Sequence, residues 1–322
     1  MHPDTPKKIT VDSKIRALAF LPDESLRIVS GEESTVRLRH LEDGLMGEQI
    51  ESSSGVLAVA ASKDGRWIIT GTTDGFAIWN RAQGTVVRRA IGGVRTVDIS
   101  SDSKWVVTGS DAHTADVWDI STGESRPGLK PFKHEYNVVA VKFCPCGERI
   151  ATATLFGSVR IYSISSGQKL LTIPISVTST LSVSNVTLTW FAHRPQIFAV
   201  SQGQIKCLNS ADGSLVFQWP TRGVRHPSSI ALSPNYKIIA YSVNDAVVLQ
   251  DTTTRQQLGD PLKHDGNDVS CIAFSPRSDH LVTGADTKFT IWDLRKLLTD
   301  TSYFGDVGTS TRMYLLDLMM EH

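Results

Sequence analysis

Along nearly the whole chain one hydrophobic pattern recurs: an apolar alternating run, a polar turn, a second apolar run ending near Gly or Thr, and then a third. Period-two alternation bounded by turn formers predicts strands with one buried face. The clearest copies read VLAVAASKDGRWIITGTTDGFAIWNRAQG, VDISSDSKWVVTGSDAHTADVWDISTG and VSCIAFSPRSDHLVTGADTKFTIWDLRK, and each carries Trp followed by Asp or Asn. Aligning the other units on that tryptophan gives the column Arg39, Trp79, Trp118, Tyr162, Leu208, Gln250 and Trp292, spaced 39 to 46 residues apart.

A period near forty with several short strands per unit predicts a β-propeller, because one such unit cannot bury both faces of its sheet and radial stacking can. The expected fold is all-β: seven blades of four-stranded antiparallel sheet. A six-bladed ring with a decorated gap is the alternative, since units one, five and six lack the aromatic residue. Units five and six keep the strand–turn–strand pattern in LTWFAHRPQIFAVSQGQIKCLNSADG and SIALSPNYKIIAYSVNDAVVLQDTTTR, which favours seven. After Trp292 the last unit lacks an outer strand, whereas KKITV at Lys7 to Val11 precedes the first unit and alternates like one. This N-terminal strand is expected to close the ring and to remove two exposed sheet edges. Deleting the first twelve residues should therefore destabilise the whole domain. The expected division is a propeller over 1–297 and a tail over 298–322, in which Met313, Leu316 and Met320 stand at helical spacing after TST and predict a short helix.

The units resemble the WD-repeat (WD40) family over roughly residues 8 to 297: AFSP at Ala273 to Pro276, TG at Thr283 and Gly284, and IWD at Ile291 to Asp293 follow its pattern. The resemblance implies a hydrogen-bonded structural relay of His264, Thr283, Asp286 and Trp292, which imitates a hydrolase triad but satisfies buried polar groups. Blade four keeps His134 and Thr152 but has Phe156 and Tyr162 in the other columns, so its relay is expected to be incomplete. The resemblance also places partner contacts on the rim formed by the loops that enter each blade and those between second and third strands. There Arg95, Tyr136, Phe156, Arg225 and His226 are the candidate partner-binding residues, with Glu32, Glu33, Arg222 and Asp265 in the same loops. The run LVTGADTKFTIWDLRK is similar to the box by which some WD-repeat substrate receptors dock on the adaptor of cullin-type ubiquitin ligases, with Asp286, Trp292, Asp293 and Arg295 as the docking candidates. The phrases GDPLKHDGNDVSCIAFSP and STGESRPGLKPFKHEYNVVAVKF resemble WD arrays attached to fungal nucleotide-binding regulatory proteins.

Charge and candidate chemistry narrow the function further. Lys and Arg number 33 against 33 Asp and Glu, so no summed field draws the chain to phosphate backbones or anionic lipid. Nucleic acid and membranes are therefore not expected partners. No phosphate-cradling GK[ST] loop, HExxH, CxxC or EF-hand spacing occurs, and no cofactor or catalytic residue is expected. Cys144, Cys146, Cys207 and Cys271 are too few and irregular for a disulfide framework, and the CPC pair lacks the further ligands of a zinc site. The first residues, MHPDTPKKITVD, carry no apolar signal run, and the expected location is cytoplasmic or nuclear. The sequence thus predicts a noncatalytic scaffold or adaptor that binds other proteins on its rim, within a multiprotein complex. A ligase substrate receptor is the alternative.

Overall fold

The computed structural model describes residues 6–22, 26–41, 46–52, 54–155, 158–174, 186–191, 194–201, 204–220, 229–298 and 300–304. Seven four-stranded antiparallel sheets account for the strands among the described residues. Six are continuous in sequence, spanning 15–51, 56–90, 94–133, 138–174, 187–220 and 230–263; we call these blades one to six. Blade seven joins Val269–Phe274, His280–Ala285 and Lys288–Asp293 to the N-terminal strand Lys7–Thr10. That strand pairs antiparallel along its whole length, from Lys7 opposite Ile291 to Thr10 opposite Lys288, so the ring closes as the alternation of KKITV predicts. The inner strands touch in cyclic order and the last, Val269–Phe274, returns to the first, Ile15–Phe20.

The tryptophan column is a structural column in all seven blades, including those without tryptophan. Arg39, Trp79, Trp118, Tyr162, Leu208, Gln250 and Trp292 each sit on the third strand opposite a branched aliphatic of the second: Ile28, Ile68, Val106, Ile150, Ile197, Ile239 and Leu281. All seven of those partners have no solvent exposure. Each forms part of an apolar layer between its blade and a neighbour, such as Ile68 with Val29, Val36 and Val56.

The TG glycines have a separate task between blades. A Cβ on Gly71 would lie 2.6 Å from the carbonyl oxygen of Val94, the first residue of the next blade's inner strand. At the closing seam a Cβ on Gly284 would lie 2.9 Å from Ile15 and 2.6 Å from Cys271 Sγ. The glycine is needed because the next blade's inner strand approaches at that point.

Two features differ from the sequence expectations, and a third extends them. Glu32, read as a rim residue of a loop, ends the strand Arg27–Glu32 and is buried at 1% exposure, because Arg37 and Arg39 neutralise it from the paired strand. Cys144 and Cys146, read as belonging to no disulfide framework, are joined in a disulfide. The chain beyond 297 does not leave the ring at once. After the short helix Leu294–Leu297, a 3-10 turn at Thr301–Phe304 lies against blade six, where the Tyr303 hydroxyl donates to Asp251 Oδ2 at 2.6 Å. The helix expected around Met313, Leu316 and Met320 lies outside the described residues.

Candidate interaction surface

Two columns of side chains run through every blade, one on the second strand and one on the third, and they show which polar groups hold the fold. In blade seven Thr283 Oγ1 accepts from the Trp292 indole at 2.9 Å and meets His264 Nε2 at 2.8 Å. A hydroxyl beside an imidazole has the parts of an activated nucleophile. Here Thr283, Trp292 and His264 are all buried, so the group ties two strands to the loop that enters the blade and admits no substrate. Asp286 is not joined to this relay: it lies at φ +51° and forms the turn between the second and third strands. Trp118 donates to Thr108 at 2.9 Å and Trp79 to Thr70 at 3.4 Å in the same way.

The remaining blades fill the columns with other chemistry. Blade one places Ser30, Glu32 and Arg39 there, with Ser30 donating to Glu32 at 2.6 Å and Arg39 reaching the same carboxylate at 3.0 Å. Blade six exchanges the sizes, and the Tyr241 hydroxyl donates to Gln250 Oε1 at 3.3 Å. Blade five is apolar, with Ala199 and Leu208. In blade four, where Tyr162 brings no indole N–H, His134 Nε2 and Thr152 Oγ1 are both buried without a hydrogen-bond partner. Burial and the adjacent Arg160 cation push the His134 pKa down to about 4. Burial and then Lys8 lower that of His264.

The upper rim, the face formed by the loops entering each blade and the turns between second and third strands, carries several ion pairs, each with an exposed partner. Arg95 pairs with Asp111, and the same carboxylate accepts from Asn137 of the next blade at 2.6 Å. Arg160 pairs with Glu135, next to Tyr136, which is 48% exposed. Asp265 accepts from Lys8 at 2.8 Å, and this bond, with Lys288 nearby, lowers its pKa. A recess of about 200 Å³ at the upper mouth of the central channel is lined by Lys14, Ile15, Arg16, Leu57, Arg95 and Ser270. Lys14 and Arg16 are exposed there and are absent from the sequence candidates. The repeat alignment carries the missing signal, because Arg16 follows Ile15 at the start of its inner strand as Arg95 follows Val94. Phe156, Arg222, Arg225 and His226 lie outside the described residues.

The four docking candidates do not form one patch. Trp292 is buried, and Asp293 caps the helix Leu294–Leu297 by accepting from the Arg295 backbone N–H at 3.1 Å. Arg295 reaches the nearly buried Asp279 at 3.3 Å while its own side chain stays 56% exposed. Asp286 belongs to the opposite rim, at the other end of the strand Lys288–Asp293.

Among the described residues no group of three or more His, Cys, Asp or Glu is placed to hold a metal ion, and no helix is long and apolar enough to cross a membrane. Segments 47–79, 86–119 and 257–293 match the family model described as WD domain, G-beta repeat. Each match begins on or near the outer strand of one blade and ends at, or one residue past, the column tryptophan of the next, Trp79, Trp118 or Trp292. The sequence repeat is thus offset by one strand from the structural blade. No curated protein matches the chain.

Proposed function

We propose, from the premise that this chain is a WD40-repeat β-propeller, that it is a noncatalytic scaffold binding other proteins on its upper rim. Propellers of this family generally serve as protein-interaction platforms. The observation that carries the reading for this chain is a division of its polar groups. The hydroxyl, imidazole and indole of the blade-seven relay are buried and used on strand contacts, while Arg16, Lys14 and Tyr136 are exposed on the same rim. Arg and Tyr make good interface anchors because they bury large areas and form directed hydrogen bonds.

The test is quantitative affinity purification from the native cell, comparing the wild type with an Arg16→Glu, Tyr136→Ala variant. Arg16 is preferable to Arg95, because Arg95→Glu would set two carboxylates together at Asp111. Both altered residues are exposed, so the variant should keep the wild-type unfolding midpoint. The expected result is a reproducible partner set that the folded variant loses. An unchanged set in the variant contradicts the rim assignment.

A further inference from the structure

The turn between the first and second strands has the same build in five blades; in blade seven Ser278 N–H donates to Ser275 O at 2.9 Å. In blade two Gly65 N–H donates to Ser62 O at 3.0 Å, and in blade three Ser103 N–H donates to Ser100 O at 2.9 Å. Blade four repeats this with Gly147 to Cys144 at 2.8 Å, and blade six with Tyr236 to Ser233 at 2.8 Å. The fourth residue of each turn has φ between +56° and +75°. In three of them a serine at the first position is stapled to an Asp or Asn at the third: Ser62 to Asp64 at 2.5 Å, Ser100 to Asp102 at 2.6 Å, and Ser233 to Asn235 at 2.7 Å. In blade four the same two positions hold Cys144 and Cys146, and the staple is a covalent S–S bond.

We propose that Cys144 and Cys146 are a reversible dithiol–disulfide couple on the lower rim, exchanging with small thiols and their disulfides. The fold brings the two sulfurs together without help from the bond, since three sister turns hold the same positions in contact through a hydrogen bond alone. Opening the bond therefore leaves the turn standing on Gly147 N–H to Cys144 O and Cys144 N–H to Arg149 O. The covalent loop spans only three residues, so it restrains the unfolded chain far less than a long-range disulfide does, and folding favours the oxidised form only weakly. A disulfide of that kind follows the surrounding thiol pool, unlike structural bridges that resist reduction.

The two sulfurs are not equivalent. Cys146 is exposed and open to attack, whereas Cys144 is half-buried and its sulfur accepts the Cys146 backbone N–H at 3.3 Å. A thiolate of the glutathione class attacks Cys146 Sγ, the S–S bond breaks, and Cys144 leaves as a thiolate steadied by that N–H before taking a proton from water. A second small thiolate attacks the outer sulfur of the mixed disulfide and releases Cys146. In sum two small thiols are oxidised to one disulfide, and the protein pair is reduced to two thiols that carry their protons. Cys207 and Cys271 are buried, with burial pushing each thiol up to about 12, and stay outside this exchange.

The full chain is equilibrated in glutathione buffers from wholly oxidised to wholly reduced, quenched in acid, denatured, alkylated and read by peptide mass spectrometry. Cys144 and Cys146 are expected to gain alkylation together as the buffer becomes more reducing, with Cys207 and Cys271 alkylated throughout. Thermal midpoints of the two forms should agree within about 3 °C. A Cys144→Ser, Cys146→Asp variant rebuilds the blade-two turn and should fold with the transition gone. Alkylation of the pair in oxidised glutathione alone overturns the proposal, as does its absence in reduced glutathione alone. So does a redox transition that persists in the variant.

Discussion

At the scale of single residues, the two columns make one substitution act with opposite results in two blades. Thr152 carries a buried hydroxyl that bonds to nothing, whereas the Thr283 hydroxyl serves both His264 and Trp292. Thr152→Val removes an unsatisfied group and should leave stability unchanged or raise it by about 1 kcal/mol, while Thr283→Val orphans two groups and should cost about 2 to 4 kcal/mol. Chemical denaturation of both variants checks this, and equal losses would contradict the division between filled and broken relays. The pH dependence follows from the same site. His134 titrates near 4 when folded against an ordinary 6.5, so between those values the unfolded chain binds the extra proton. Its contribution is fully present above about 6.5, falls by up to roughly 3 kcal/mol as pH drops to about 4, and levels off below that. His134→Gln should flatten stability across this window, which unfolding measured above and below it would detect.

At the scale of elements, stability depends on how closely each blade accepts the next. Gly71 faces the Val94 carbonyl with no room for a methyl group, and a main-chain oxygen cannot swing aside as a side chain can. Gly71→Ala should therefore cost about 1 to 3 kcal/mol and lower the thermal midpoint by several degrees; an unchanged midpoint would show that the seam yields. Period-two runs and turn residues made the strands and the closing strand Lys7–Thr10 legible in advance, because alternation reflects burial directly. The contents of the columns were less legible. Serine beside an arginine-neutralised glutamate in blade one, and tyrosine beside glutamine in blade six, achieve the same satisfaction with different chemistry, so no residue pattern announces them. Glu32 was misplaced for this reason: its buried partners Arg37 and Arg39 lie on the neighbouring strand, where only register brings them together.

At the scale of the molecule, the balanced 33 and 33 charges hide a local arrangement in which Lys14, Arg16 and Arg95 surround one mouth of the channel. Arg95 and Tyr136 could be placed on that rim from loop position, but Arg16 and Lys14 emerge only when the inner strands are superposed around the ring. The relay likewise was legible for His264, Thr283 and Trp292, whose contacts run within one sheet and its entering loop. Asp286 stands in the turn between the second and third strands, and no hydrogen bond joins it to those three. Lysine cross-linking of the chain with its captured partners, read residue by residue, tests the upper rim as the interaction surface. Lys14 marks the upper rim, and Lys104, whose side chain is 73% exposed, marks the lower. Partner cross-links are expected at Lys14 with few at Lys104; cross-links confined to Lys104 would contradict the rim assignment and move the interaction surface to the opposite face.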